Sequence, residues 1–332
     1  MRVARTWTGT VLLMALCTFG VAQSISGPSL GFVSDEQGTT IWPLLGILGA
    51  SVPGQPLALP ESIAKASISP QHDYAVAIAA ASGQPVIIRL DPSNISMGPL
   101  PGVRLNPGLI AISPTGSAVA LYGRESNTLQ VVSGLPGEPQ IAHEFNTSGL
   151  GGDVRNVAVS DDASMALVTA GSDSPTLWLL NANGSTSPVS VMQPSHVAFI
   201  ARRSDAVIAD DATQEVFLLQ GLDGNPVRSP GIVLRESGRP FSAVNASSDG
   251  RWIFVAQEDS PDITVVNLES RATAMVSCHC KPTTIFPLKG TSVFRLNGLS
   301  NGPISVLDAS SSSPRTLIIP VDPNLVAGHR EQ

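Results

Sequence analysis

Cys278, His279 and Cys280 stand in a row, the most unusual local string in the chain. Two thiolates flanking an imidazole bind Zn²⁺ or copper if all three converge, and a cysteine pair can instead form a disulfide. Successive residues of an extended chain point oppositely, so only Cys278 and Cys280 share a side. No fourth ligand or remote partner stands out, and the expectation is a local disulfide between Cys278 and Cys280 or a structural turn. A second candidate is His196, preceded by Pro194-Ser195. With Asp210 or Asp211 as an orienting carboxylate, it could act as a general base that activates water against a lactone-like ester. The remaining histidines are placed less well. His72 falls in a first hairpin turn, His143 beside Glu144 on an outer strand, and His329 in a polar tail. The third set is acidic: Asp35, Glu36, Glu125, Asp173, Asp210, Asp211, Glu258 and Asp259. A Ca²⁺ ion needs about six to eight oxygens converging at about 2.3–2.6 Å. Carboxylates of Asp35, Asp173, Asp210, Asp211, Glu258 and Asp259 are the weak candidates, without any fixed-spacing loop of the EF-hand kind. Solvated turn residues account for most of them, since Asp is favoured in turns anyway. There is no His-Glu-x-x-His, P-loop or dinucleotide fingerprint, and no organic cofactor is expected.

The elements that must position these groups repeat. A short apolar strand recurs at 41–44, 86–90, 129–132, 177–180, 216–219, 263–266 and 304–307, with first residues 39 to 48 positions apart. Periods of about 40–50 residues with strand content mark β-propeller blades. Ahead of most copies lies a second motif, strand, polar turn, strand, clearest at 110–121 around Ser113-Pro114-Thr115-Gly116 and at 244–255 around Ser247-Ser248-Asp249-Gly250. Further copies run over 66–78 and 157–168, with degenerate ones at 197–208 and 284–294. The period-two alternation suits strands and not helices. The order is inner strand, turn, second strand, loop, third strand, turn and a weaker outer strand such as 140–144 or 273–276. One hairpin pair cannot hide both apolar faces, whereas seven in a ring bury them against neighbours. The fold class expected is therefore all-β, a seven-bladed β-propeller of four-stranded antiparallel blades in one domain over 23–322. Its first blade is the least complete, with 30–33 followed by 41–44. The last strand, 316–321, either completes blade seven or pairs near 24–30 to close the ring.

Arg2 and Arg5 lead into the apolar run 11–21, which is too short for a spanning helix of about 20 residues. Gly20-Val21-Ala22 supplies the small residues of a cleavage site, so 1–22 reads as a secretory signal and 323–332 as a polar tail. The formal net charge is −7, and −9 once Arg2 and Arg5 leave with the signal. With no basic stripe, a nucleic-acid partner is excluded on electrostatic grounds. The expectation is an exported monomer, periplasmic or extracellular, with no membrane-spanning segment in the mature chain.

Ser-Ser-Asp-Gly-Arg-Trp-Ile-Phe-Val-Ala at 247–256, followed by Ile-Thr-Val-Val-Asn at 263–267, resembles a blade of the bacterial YVTN/TolB-type and lactonase-like seven-bladed propellers. The resemblance covers roughly 60–310 and implies the fold. That family spans surface proteins, binding scaffolds and some enzymes. In the expected order, the loops between second and third strands and the segments leading into inner strands open on one face. This brings Asp35-Glu36, Arg124-Glu125, Asp173, Asp210-Asp211 and Glu258-Asp259 to one rim with His196, Arg239 and 278–281. An acidic rim focuses a negative potential that favours a cation or basic ligand. The functional expectation is a non-catalytic scaffold that binds a protein or small molecule. The alternative is a periplasmic hydrolase or isomerase of lactonase-like type with its site at the channel mouth.

Overall fold

A computed structural model describes residues 27–322, except 92–93, 234–237, 279, 291, 301 and 312. The expected signal 1–22, the expected tail 323–332 and His279 lie outside the described residues. All described elements are strands, and among the described residues no helix is long and apolar enough to cross a membrane. The strands form seven antiparallel sheets in chain order. Six have the expected four-strand order; the fifth gains an extra short strand, Ile232–Val233, on Glu215–Gln220. The first shows three strands, Ser29–Ser34, Ile41–Ile47 and Ala50–Pro53, which match the second, third and outer positions of other blades. The last strand, Arg315–Ile319, pairs with Ile304–Asp308 and so completes blade seven.

Seven apolar clusters hold the ring, one at each junction between neighbouring blades. Tyr74 and Val76 of blade two pack with Val119 and Leu121 of blade three. The closing junction sets Val33, Trp42 and Leu44 of blade one against Val293, Ile304 and Val306 of blade seven. Each sheet thus buries both faces, and apolar burial at about 25 cal/mol per Å² drives closure.

Serine sets the inner hairpins. The hydroxyls of Ser69, Ser113, Ser160 and Ser247 accept from the amides of Tyr74, Ala118, Met165 and Trp252, five residues on in each case. All four serines are buried. In the best-formed copy, Asp249 also accepts from Arg251 N at 3.0 Å, and Gly250 takes φ +66°, a conformation glycine adopts freely. This explains why Ser and Asp-Gly recur at fixed offsets. One turn does more: Asp161 of blade four accepts from Thr115 N and Oγ1 of blade three and from Arg202 N of blade five, tying three successive turns together.

Candidate functional site

Near its start each inner strand carries a bulge at the same place in blades two, four, five and six, where the register shifts around Ala64, Arg155, Ser195 and Ser242. A bulge re-aims the side chains beside it. Here it turns them toward the next blade. Lys65 Nζ donates to Gly108 O (2.9 Å), Asn156 Nδ2 to Ser195 O (3.3 Å) and His196 Nε2 to Phe241 O (3.0 Å). In blade six Ser242 Oγ reaches Pro282 O at 2.9 Å. His196 is therefore the blade-five rung of a ladder that stitches inner strands together. Burial pulls its pKa below the ordinary imidazole value, against the Phe241 carbonyl and the charges of Asp211 and Glu258, which raise it.

Neither aspartate hydrogen-bonds that ring. Asp210 is fully buried and accepts from the amides of Met192, Gln193, Ala212 and Thr213 at 3.0–3.4 Å, closing its own loop. Asp211 Oδ1 accepts from Ser195 Oγ (2.9 Å) and Phe241 N (3.0 Å), so it reaches His196 through space only. Asp259 pairs with Lys281 at 2.7 Å, and that ammonium holds its carboxyl below the usual range. Arg239 donates to Asp259 O at 3.0 Å. His196, Asp211, Glu258, Asp259, Arg239 and Lys281 thus share one sector of the rim. Asp173 sits on a separate exposed loop of blade four, and Asp35 belongs to blade one, where its carboxylate binds Thr39 and Thr40. Among the described residues, no three His, Cys, Asp or Glu side chains converge to hold a metal ion.

Cys278 and Cys280 bring their sulfurs together as a disulfide, with Cα atoms 5.0 Å apart. Cys278 is buried in the junction of blades six and seven, where Ile285 and Phe294 share its cluster. Two Gly-x-Ser-x-Gly strings, at 27–31 and 298–302, have the spacing of a nucleophile elbow, although no such elbow was expected from the sequence. Neither sits in the strand-to-helix turn such an elbow needs. Ser29 opens a strand and donates to Leu44 O (3.1 Å), and Ser300 Oγ accepts weakly from Gly302 N in a loop.

Three features emerge only in the folded chain. A channel of about 330 Å³ runs along the inner strands of blades two to seven. Blade one has no inner strand among the described residues, and the edge of Ser29–Ser34 is capped by its neighbours: Leu30 O accepts from Lys289 N, Ser34 O from Leu299 N, and Phe32 N donates to His72 Nδ1 at 3.0 Å. His72 Nε2 then donates to Pro287 O at 3.0 Å, so one imidazole from a blade-two turn joins blades one and seven. The signal for this was Gly31, in the middle of an apolar strand. Glycine there often marks a close approach, and a Cβ on Gly31 would lie 2.7 Å from the His72 ring. Above this plug, a groove of about 520 Å³ is bordered by Asp35, Glu36, Lys65, Thr284 and Arg295.

These features define a closed seven-bladed β-propeller with an axial channel and a polar groove at one mouth. No family model matches the chain, and no curated protein matches it in sequence. Solved structures do. A Desulfotomaculum acetoxidans protein of unknown function superposes with a TM-score of 0.59 at 13% identity, over 88% of this chain and 100% of that one. A Bacteroides fragilis protein provisionally described as a 6-phosphogluconolactonase gives 0.58 at 12% identity, over 88% and 94%. AztD of Citrobacter koseri, in its apo form, gives 0.57 at 13%, over 87% and 82%. Likeness at this identity establishes the fold, and with it the fold-level resemblance to lactonase-like bacterial propellers.

Proposed function

We propose that this chain is an exported, non-catalytic β-propeller that binds a protein or small-molecule ligand at the face where the channel opens. One observation carries the reading: the best-placed base and its expected carboxylate partners are committed to architecture. His196 spends Nε2–H on the Phe241 carbonyl, at a position where Lys65 and Asn156 make the same bridge in other blades. Asp210 is saturated by four amides. A general base must reach the proton it removes, in a protonation state near the working pH. A rung with a lowered pKa suits holding strands together better than moving protons.

The competing reading, a lactonase-like hydrolase or isomerase, draws on the likeness to the Bacteroides fragilis protein. A panel of sugar lactones and simple γ- and δ-lactones, assayed by acid release, separates the two. No acceleration over buffer is expected from the wild type or from His196→Ala. Lactone opening by the wild type that is lost in His196→Ala overturns the non-catalytic reading. Export is tested alongside it. The mature protein recovered outside the cytoplasm should begin at Gln23, and a chain still carrying Met1 in the cytoplasm counts against export.

A further inference from the structure

The groove beside blade one contains a charge that the architecture does not explain. Arg295 closes the strand Val293–Arg295 of blade seven, in register with Phe286, and its guanidinium carbon lies 5.0 Å from that ring's centroid. Nη1 donates to Asn297 O at 3.2 Å. Nε is buried and meets no acceptor, and no carboxylate stands within ion-pair distance among the described residues. Burial pushes its pKa down to about 10, which still leaves it charged at neutral pH. A half-buried charge with its Nε shut off from water and no counter-ion is costly. An apolar side chain would fill the same space beside Phe286 without that cost.

The acids that border the groove do not supply the missing partner. Asp35 turns its carboxylate into its own loop, accepting from Thr39 N and Oγ1 at 2.7 Å and from Thr40 N at 3.1 Å. Glu36 borders the groove without reaching the guanidinium. Lys65, on the blade-two wall across from Arg295, is a second cation held by one bond to Gly108 O, and Thr284 lies on the blade-seven wall. An open groove with an unpaired guanidinium is the arrangement that charge-assisted hydrogen bonds to an oxyanion complete.

We propose that this groove is an oxyanion site, in which a carboxylate or phosphate group of a small ligand docks on the Arg295 guanidinium with Lys65 as the second cation. The inference rests on the binding reading above and names the chemistry of its ligand. Arg295 uses its planar fork; Lys65 adds a point charge from across the groove. Glu36 opposes the ligand by like charge, so the site favours anions of low charge.

Acetate and inorganic phosphate are the probes, titrated by calorimetry into the wild type at constant ionic strength. Saturable one-to-one binding of either is expected. Arg295→Met should weaken it by at least about tenfold, and Glu36→Gln should tighten it by about threefold, a gain that a purely structural arginine would not produce. Phenylglyoxal labelling read by peptide mass gives a measurement independent of any variant: Arg295 should be protected by the bound probe. If Arg295→Met fails to fold, Lys65→Met takes its place, with a loss of about threefold expected. Absence of saturable binding for both probes overturns the site, as does binding unchanged in the variants or Arg295 labelling indifferent to the probe. Such a result leaves the lactone assay untouched, so failure of the groove and failure of the non-catalytic reading are told apart.

Discussion

Acidification should loosen this ring at one identifiable side chain. His72 accepts from Phe32 N through Nδ1 and donates through Nε2 to Pro287 O, which requires the neutral tautomer with its proton on Nε2. A second proton on Nδ1 would face an N–H donor inside the ring. Burial is the largest influence on this group and lowers its pKa from 6.5 to about 4; the Pro287 carbonyl opposes the shift, Arg295 and Lys289 add to it, and Asp73 works against it. The unfolded chain takes up the proton near 6.5 and the folded chain only near 4. Stability from this group is therefore complete above about pH 6.5 and declines as pH falls toward 4. At about 1.4 kcal/mol per pH unit, the loss amounts to roughly 3 kcal/mol across that window. Urea unfolding followed by tryptophan fluorescence, in steps from about pH 7.5 to about pH 4.5, measures it directly. His72→Gln, which does not titrate, should cost about 1–3 kcal/mol at neutral pH through the weakened bridge. It should also flatten the decline between pH 6.5 and 4 relative to the wild type. The lowered pKa of His196 is common to both proteins and cancels in the difference. Parallel curves for the two proteins would refute the assignment.

Asp210→Ala should destabilise the protein by about 2 kcal/mol or more in the same urea assay, because four amides lose a buried acceptor at once. A loss under about 0.5 kcal/mol would mean that water replaces the carboxylate. Asp161→Ala, which frees Thr115 and Arg202 amides on either side, is expected to cost about 2 kcal/mol. Thr115→Ala alone should cost less, since it removes only one of the bonds to that carboxylate. For Cys278 and Cys280, intact mass after alkylation of the mature protein without reductant should show no added label, and two after reduction. Two labels before reduction would rule the bond out.

The ring was legible from residues alone because each of its causes is local or periodic. Ser113, Ser160 and Ser247 announce the inner hairpins, since a hydroxyl must close a turn five residues long. The recurring Val, Ile and Leu strands announce blades, since two apolar faces require two neighbours. The candidate site was legible only as a list of polar residues at loops. His196 and Asp210 look alike to a reader of catalytic types, and only the bulge register shows that one spans blades and the other closes a loop. His72 and Arg295 were hidden for a different reason. Their roles come from ring closure, which sets a blade-two turn and a blade-seven strand against blade one, more than 200 positions away in the chain for the contact between His72 and Pro287. Gly31 carried a trace of that contact, as a strand residue with no side chain to spare. Sequence by itself determined the architecture, because repetition and alternation are written residue by residue. Tertiary structure decided which polar groups are spent on holding the blades together and which are left without a partner, as Arg295 Nε is, because that depends on distances no periodicity records.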